Sequence, residues 1–417
     1  MAESQPWDYI IVGGGIAGCV VASRLKLYLP SSRICVIEAG PDVSDNKDIL
    51  QFSSLKFIGG QFDWGYKSIL QKHCNTRSID IPSGRAVGGG SVINACGWLR
   101  GSRADYDNIN AGTNLGLGEL NENGLKGARQ ITPSVYPLDG ITVKTDTLVQ
   151  CRCIILDKLH ARATGVACHD GTYRTPQLLM LSGIRPKEAL KKHGIEMKIE
   201  NRDVGTNFND YIKLYLNWRL KDPSKAAALM ETFVLYLAVP PVAINGTHIS
   251  NTIIAYKPTS RETVSIASKD PRDPLLIDPN YLATEVDRTV WRESLRTIAR
   301  LMSSNETALG QIVSDETPFP GFEEQIRPDS TDEYLDERIR AKTGITNLGD
   351  IGVDFYRDNG SNSCSMGKVV NTDLTVKGVQ DLYIVDASVF PISTGAHIQA
   401  TVYALAEQAA VIISGKE

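Results

Sequence analysis

DYIIVGGGIAGCVVASRLKLYLPSSRICVIEAG, residues 8–40, is the stretch that decides the fold of this chain. The short apolar run at 9–12 predicts a buried parallel strand. It ends at three glycines, and a helix-spaced segment then runs from residue 16 to about residue 27. The order is therefore strand, tight turn and helix, which is the start of a Rossmann-like parallel sheet.

The glycines of this turn, Gly13, Gly15 and Gly18, form the pattern G-x-G-x-x-G. The first allows the turn, the second lets a pyrophosphate approach the backbone, and the third lets helix and strand pack closely. The phosphates would lie on the helix N-terminus, where free N–H groups and roughly half a unit of positive charge favour an anion. The alternative is a tight strand-to-helix turn that binds nothing.

A second predicted strand, 33–37, leads into Glu38, about 20 residues past Gly18, where a carboxylate can hold both ribose hydroxyls of an adenosine. An acid at this position disfavours a 2′-phosphate. The stretch therefore indicates dinucleotide binding, and both FAD and NAD remain possible from these residues alone.

Composition narrows the class of protein. The 417 residues are 42% hydrophobic and 22% charged, which are globular values, and the length favours two joined domains. A net charge of −4 gives no electrostatic reason to expect a nucleic-acid partner. The start, MAESQPWDYIIV, has no signal-peptide pattern and no apolar run is long enough to span a bilayer, so we expect a cytoplasmic protein. Eight cysteines with only one close pair, Cys151 and Cys153, argue against a disulfide framework or a metal site.

The segment 41–80 is rich in loop-forming residues and carries several aromatic side chains, which predicts a surface cover rather than a site. It is followed by GRAVGGGSVINACGWLRGSRADYD, residues 84–107. Three consecutive glycines followed by Ser91 and Asn94 form a loop whose backbone can lie against a flat or anionic ligand, because no Cβ intervenes. A glycine-rich turn before a buried helix is the simpler alternative.

The pattern at 84–107 resembles the first signature of the glucose-methanol-choline (GMC) family of FAD oxidoreductases, G-R-x-x-G-G-S-S-x-I-N followed by an aromatic residue, R-G and D-Y-D. Gly90 stands where serine is usual, and Ala95 where glycine is usual. Further blocks resemble the family in its own order, at 175–199, 204–211, 260–282 and 364–407. This resemblance selects FAD over NAD.

The resemblance implies an α/β fold, α+β overall: a Rossmann-like FAD-binding domain with a parallel sheet, and a substrate-binding domain with an antiparallel sheet. The implied boundaries are 1–212 for the FAD-binding domain, with 108–140 as a shortened connection, 213–358 for the substrate-binding domain, and 359–417 for a return to the FAD-binding domain. Residue by residue, the resemblance implies these cofactor contacts: Gly13, Gly15, Ile16, Gly18 and Glu38 at the ADP half; Val87, Gly89, Ser91, Asn94, Ala95 and Cys96 along the flavin; the Val149 backbone at adenine; Asp386 and Ala387 at the ribityl and pyrophosphate groups; and His397 and Gln399 near the ring.

Catalysis is implied for the tail, which is predicted to contain a strand at 382–385, a loop and a helix from about Ala400. His397 matches the second active-site position of the family, usually His or Asn. A histidine has a reference pKa of about 6.5 and can accept an alcohol proton as hydride leaves for the flavin. The alternative is a structural histidine that caps the helix, although histidine is not a favoured cap.

The first active-site position is occupied by Asn359, where the family usually has the proton-accepting histidine. Asparagine can hydrogen-bond a substrate oxygen but cannot take its proton near neutral pH. Three consequences stay open: His397 is the only base and Asn359 orients the alcohol; the register shifts and Tyr356 or Asp358 enters; or the site no longer oxidises alcohols.

The chain is short for this family. The connection after Asp107 is abrupt, and 169–179 lacks the strand and turn that normally precede the S-P-Q-L-L helix. The segment 213–256 is compressed as well. We therefore expect one sheet strand and part of the pocket wall to be absent, in a trimmed natural enzyme, an engineered form or a faulty gene model.

The leading hypothesis is an FAD-dependent oxidoreductase that removes hydride from an alcohol or activated C–H bond of a small, partly apolar substrate, with oxygen or another electron acceptor reoxidising the flavin. The second is a flavoprotein that retains FAD for a lyase, isomerase or cyclase step, motivated by Asn359. The third is a catalytically dead or flavin-free remnant.

Overall fold

The structure is a computed structural model. It describes residues 6–51, 57–94, 96–98, 121–126, 128–149, 156–157, 162–163, 173–210, 212–221, 234–235, 242, 246–255, 257–261, 263–342, 360–394 and 397–416.

Nine helices and nine strands of this part are numbered here in chain order. The helices are α1 (Ile16–Tyr28), α2 (Gly90–Ile93), α3 (Thr132–Val135), α4 (Arg174–Leu181), α5 (Lys187–Lys191), α6 (Glu285–Ser303), α7 (Ala308–Ile312), α8 (Asp332–Lys342) and α9 (Gln399–Ser414). The strands are β1 (Tyr9–Val12), β2 (Ile34–Ile37), β3 (Thr142–Lys144), β4 (Ile212–Leu220), β5 (Val234–Leu235), β6 (His248–Ala255), β7 (Thr263–Ile266), β8 (Leu275–Asp278) and β9 (Val313–Thr317).

The first sheet is parallel and has the order β1-β2-β3. Tyr9 lies opposite Ile34, and Cys35 lies opposite Thr142. Helix α1 connects β1 to β2 and packs against α9 from the end of the chain, with Arg24 and Glu407 joined across them at 2.7 Å. The Rossmann-like start predicted from residues 8–40 is confirmed.

The second sheet is antiparallel and has the order β5-β6-β4-β9. Helix α6 packs on it through a stripe of buried residues spaced three to four apart, which is the period of one helix face: Trp291, Leu295, Ala299 and Met302. The Thr284 side chain caps this helix by accepting a hydrogen bond from the Asp287 N–H. A parallel and an antiparallel sheet in one chain match the predicted fold class.

The tail differs from the expectation in one respect. The predicted strand at 382–385 does not join a sheet, because its backbone pairs locally instead. The Val376 N–H donates to the Leu382 carbonyl, and the Ile384 N–H donates to the Leu374 carbonyl. The expected helix that follows is present as α9.

Over the ranges given above, no helix combines the length and the apolar character that a membrane crossing requires.

Candidate active site

The glycine turn between β1 and α1 is tightly packed. A Cβ on Gly18 would lie 1.9 Å from the Gly13 carbonyl oxygen, so only glycine fits there. Gly13 has φ +96°, which favours glycine, and its N–H donates to the Ile37 carbonyl at 2.7 Å. Gly15 is the N-cap of α1, which has neither a side-chain cap nor an acidic residue in its first turn. The end of this helix is therefore suited to an anion.

Glu38 follows β2 and is completely buried. Its Oε2 accepts the Gly14 N–H at 2.8 Å and its Oε1 accepts the Gly40 N–H at 2.7 Å. Burial raises the pKa of this carboxyl to about 7, although these backbone donors and the nearby Arg85 favour the ionised form. A carboxylate has about four lone-pair sites, so both oxygens can still accept hydroxyl groups of a ribose.

A narrow cleft opens beside this carboxylate. It is lined by Val12, Gly13, Ile37, Glu38, Ala39, Trp64, Thr147 and Val149. Val149, which was expected at adenine, thus shares a cleft with Gly13 and Glu38. Trp64 also lines it, so the expectation that 41–80 only covers the surface was wrong at this residue. The indole of Trp64 is fixed from behind by Arg174, whose guanidinium carbon lies 3.9 Å from the ring centroid.

The second glycine-rich loop lies directly against the first. The Gly88 N–H donates to the Gly14 carbonyl at 2.7 Å, and the Val87 N–H donates to the Pro41 carbonyl at 3.0 Å. Gly89 has φ +51° and precedes the short helix α2. The buried Ser91 hydroxyl closes the loop by donating to the Gly88 carbonyl at 2.7 Å. The two loops predicted to contact the cofactor are therefore neighbours in space.

A chain of amide contacts joins this loop to the end of the protein. The Asn94 Nδ2 donates to Gln399 Oε1 at 2.9 Å, across 305 residues of sequence. The Asn94 Oδ1 accepts from Arg129 Nη1 at 2.7 Å and from the Cys96 N–H at 3.1 Å. Cys96 is buried and has φ +62°. We call the group Asn94, Arg129 and Gln399 the amide relay.

The buried Asp386 connects a third segment, the tail, to helix α4. Its Oδ1 accepts the Ser388 N–H at 2.7 Å, which caps the 3₁₀ turn Ala387–Val389. Its Oδ2 accepts the Thr175 hydroxyl of α4 at 2.6 Å. Burial raises the pKa of Asp386, while the hydrogen bonds from Ser388 and Thr175 oppose this shift.

His397 is 5% exposed and lies two residues before the first residue of α9. Its predicted alternative role as a helix cap was wrong, because Ile398 is the N-cap and no side chain caps this helix. Gln399, the first residue of α9, belongs to the amide relay. His397 is thus buried at the point where the tail meets the Asn94 loop. Ala95 and Asn359 lie outside the described residues.

Two residues that hold these pieces together were not singled out from the sequence. Arg129 is a lone arginine with no motif around it, and nothing local indicates that it contacts Asn94. Thr175 stands before a proline near a helix start, a pattern that would normally predict a cap. In the structure it lies inside α4 and bonds Asp386 instead. Only the fold brings these partners together.

The residues present fit a dinucleotide such as FAD. The Gly13–Gly18 turn is so close that only glycine fits at Gly18. The start of α1 has no side-chain cap, and the buried Glu38 carboxylate lies beside a narrow cleft. The flavin end would then lie toward the amide relay, since the second glycine loop connects the two regions.

Comparison with known proteins gives a consistent result. Two family models, both described as GMC oxidoreductase, match residues 7–122 and 258–406, which together are more than half of the chain. The chain is 27% identical to the GMC-type oxidoreductase acuG of Aspergillus aculeatus, over 98% of this chain and 99% of that protein. It is 26% identical to pyridoxine 4-oxidase of Microbacterium luteolum, over 96% and 98%.

These alignments extend over 533 and 522 residues, whereas this chain has 417. Both relatives therefore contain internal segments that this chain lacks, which agrees with the shortening inferred from the sequence. Among solved structures, pyridoxine 4-oxidase from Mesorbium loti superposes with a TM-score of 0.82 at 23% identity, covering 99% of this chain and 100% of that one. A formate oxidase variant from Aspergillus oryzae RIB40 has a TM-score of 0.81 at 20% identity, covering 98% of both. The overall fold thus survives the shortening.

Proposed function

Since the chain belongs to the GMC family of FAD-dependent oxidoreductases, which act on CH–OH donors, we propose that it oxidises the alcohol group of a small organic substrate with His397 as the base. One observation carries this proposal. His397 is buried two residues before Gln399, whose side chain contacts the Asn94 loop. A titratable side chain is thereby held at the junction of the two segments that the family resemblance assigns to the flavin.

The proposed roles of FAD, His397 and Asn359 follow from the chemistry of each group. Bound FAD supplies the two-electron acceptor, a capacity that no side chain of this chain offers. His397 would take the hydroxyl proton on a ring nitrogen, which requires the neutral imidazole. Burial of this side chain excludes bulk water from the proton transfer. Asn359 would orient the alcohol oxygen as a hydrogen-bond donor.

The proposed cofactor contacts divide in the same way. The ADP half would be held by the glycine turn, with Ile16, by Glu38 and by the Val149 backbone. The flavin would lie along the second loop from Val87 to Cys96 and against Gln399, with Asp386 and Ala387 between the two halves. The close contact of Gly88 with Gly14 supports this continuous path.

We also propose the domain division 1–212, 213–358 and 359–417. Two separate hydrophobic clusters support it. One contains Ile11, Val36, Leu179, Ile384 and Ala406, and the other contains Leu216, Ile253, Trp291, Leu295 and Ile339. Their members divide along these boundaries with few exceptions.

The test starts with the visible absorption spectrum of the purified protein and release of its chromophore by heat. The released FAD would then be quantified, and the holoenzyme titrated anaerobically with alcohols. Pyridoxine and choline are the first choices, because two relatives are a pyridoxine 4-oxidase and an oxygen-dependent choline dehydrogenase of Staphylococcus aureus. An aryl alcohol adds a more apolar member to the set.

Bleaching of the flavin by one of these alcohols, lost in His397→Ala but kept in His193→Ala, would support the proposal. FAD that is bound but that no alcohol reduces would favour the non-redox alternative. A colourless protein that FAD cannot reconstitute would contradict both.

A further inference from the structure

Arg129 is a buried cation that has no matching anion in the part of the chain that the structure describes. It is 1% exposed and ranks among the largest fully buried side chains. Its Nη1 donates to two neutral acceptors, the Asn94 Oδ1 at 2.7 Å and the Ser91 carbonyl at 3.2 Å. Its Nε and Nη2 have no hydrogen-bond partner among the described residues.

Such an arrangement is costly in the protein alone. The effective penalty for burying an ion is several kcal/mol, and arginine stays protonated at any ordinary pH. Burial lowers the pKa of Arg129, and Cys96, rather than a carboxylate of the described residues, opposes that shift. Arg338, which is equally buried, shows the usual solution, because it is paired with the Glu316 carboxylate. Arg129 therefore has unused capacity for an electron-rich or anionic group.

The contacts of Arg129 also fix the direction of the amide relay. Because Nη1 is a donor, the atom of Asn94 facing it must be Oδ1, and the Cys96 N–H requires the same. Nδ2 of Asn94 then donates to Gln399, which commits Oε1 of Gln399 as the acceptor. The remaining donor of the Gln399 amide is consequently its Nε2, which is buried and has no partner of hydrogen-bond geometry in the described part. The Tyr403 hydroxyl lies nearby: burial raises its pKa to about 12, and the Gln399 amide opposes this shift.

We propose that Arg129 is a positioning residue of the flavin site: acting through Asn94, it orients the Gln399 amide so that Nε2 is the donor left for the ring, and it provides the positive charge that favours the electron-rich, two-electron-reduced state of FAD. The pyrophosphate is the less suitable counter-charge, because the start of α1 is placed to bind it and Arg129 contacts the other loop. This inference rests on FAD binding and not on His397 as the base.

Three variants separate the parts of this role. Arg129→Gln keeps a donor for Asn94 Oδ1 and removes the charge; Arg129→Lys keeps the charge. The matched control is the double variant Arg338→Met/Glu316→Gln, which removes a buried ion pair whose arginine lies on α8 between Leu335 and Ile339 of the other hydrophobic cluster. For each holoenzyme we would measure the midpoint potential of the flavin, the dissociation constant for sulfite, whose flavin adduct is anionic, and the dissociation constant for FAD.

We expect Arg129→Gln to weaken sulfite binding at least about tenfold and to lower the potential, by about 30 mV for each tenfold change in relative affinity of a two-electron couple. Arg129→Lys should stay within about threefold of wild type for sulfite, since a positive charge remains. The control should leave both quantities unchanged, whatever its stability. FAD affinity should change less in Arg129→Gln than sulfite affinity does.

An unchanged potential and sulfite affinity in Arg129→Gln, with FAD bound, would overturn the inference and leave Arg129 as a structural residue. If Arg129→Gln binds no FAD, Arg129→Lys decides instead, because a large drop in its sulfite affinity would overturn the role of charge. Either outcome leaves the proposed function testable, since loss of alcohol oxidation in His397→Ala does not depend on Arg129.

Discussion

The two ends of the candidate cofactor site are built in different ways. The ADP end, from Gly13 to Glu38, is contained in one stretch of sequence, and its glycines and carboxylate contact one another directly. The flavin end joins Asn94 to Gln399 across 305 residues and depends on a buried arginine between them. A local motif can therefore identify the glycine turn and the carboxylate of the first end, although Trp64 and Val149 also line its cleft. The second end exists only once the whole chain has folded.

Because they are built differently, the two ends should respond differently to substitution. The ADP end is rigid because a strand, a turn and a helix leave no space for a side chain at Gly18. The flavin end is held by polar contacts that can be removed one at a time. Substitutions at the ADP end should therefore act on binding and stability, and those at the flavin end on chemistry.

The largest expected effect tests the chemical side of this contrast. His397→Ala should reduce the rate of flavin reduction by alcohol about 10²- to 10⁴-fold, because a positioned base contributes about that much. The absorption spectrum and the FAD content should stay those of wild type. Stopped-flow reduction under anaerobic conditions measures the rate directly.

His193→Ala is the matched control, because it removes a partly buried histidine on the turn after α5. It should reduce the flavin at the wild-type rate. A His397→Ala enzyme that still reduces at that rate would mean that the base lies elsewhere, for instance at 356–359, which is outside the described residues.

The next effect concerns the ADP end. Gly18→Ala places a methyl group against the Gly13 carbonyl, a backbone contact that cannot move aside, and should cost about 3 kcal/mol or more of stability together with FAD binding. Gly194→Ala is the control, since Gly194 has φ +66° and open space around its Cβ position. It should cost only about 1–2 kcal/mol. Chemical denaturation of both variants compares the two, and equal losses would contradict the close packing at Gly18.

How far the sequence predicts this protein follows the same division. The β1-α1-β2 unit was predictable because its pattern is local and because each of its glycines is required for one identifiable structural reason. The strand expected at 382–385 does not join a sheet, because its backbone forms hydrogen bonds with 374–376 instead. An apolar run in the sequence does not reveal which segment its backbone will pair with. The burial of Arg129 could not be predicted, because a single arginine in a polar segment is usually a surface residue. Trp64 was misjudged for the same reason, since an aromatic residue in a loop carries no sign of the cleft it lines.

Glu38 gives an intermediate effect that depends on pH. Its folded pKa is about 7, above the ordinary value of 4.5, so between these pH values the folded apoprotein holds a proton that the unfolded chain has released. The contribution of Glu38 to stability should therefore fall as pH rises from about 4.5 to about 7 and stay constant above that. Glu38→Gln lacks this titration, so its stability relative to wild type should improve by up to about 3 kcal/mol between pH 4.5 and pH 8. FAD affinity should weaken at the same time, because an amide offers one acceptor oxygen instead of two.

Glu407→Gln is the control, because its stability relative to wild type should change with pH in the opposite direction. Arg24 lowers the pKa of Glu407, so its contribution is present above the ordinary pKa and is lost as pH falls. Thermal unfolding of the apoproteins at several pH values would compare the two variants. A Glu38→Gln stability difference that does not change with pH would show that Glu38 is not protonated in the folded apoprotein near neutrality.

The smallest effect lies where the two ends meet. Thr175→Val removes the hydroxyl that donates to the buried Asp386 Oδ2 and should cost about 1.5–3 kcal/mol, the value of a hydrogen bond to a charged group. Thr175→Ser keeps the hydroxyl and should cost less than about 1 kcal/mol. Thr175 stands on α4 and Asp386 stands on the tail, so this hydrogen bond joins two segments that are distant in the sequence. If Thr175→Val also weakens FAD binding while Thr175→Ser does not, this single contact positions Asp386 for the cofactor. Equal FAD affinities in both variants would confine Thr175 to stability and leave the two ends of the site independent.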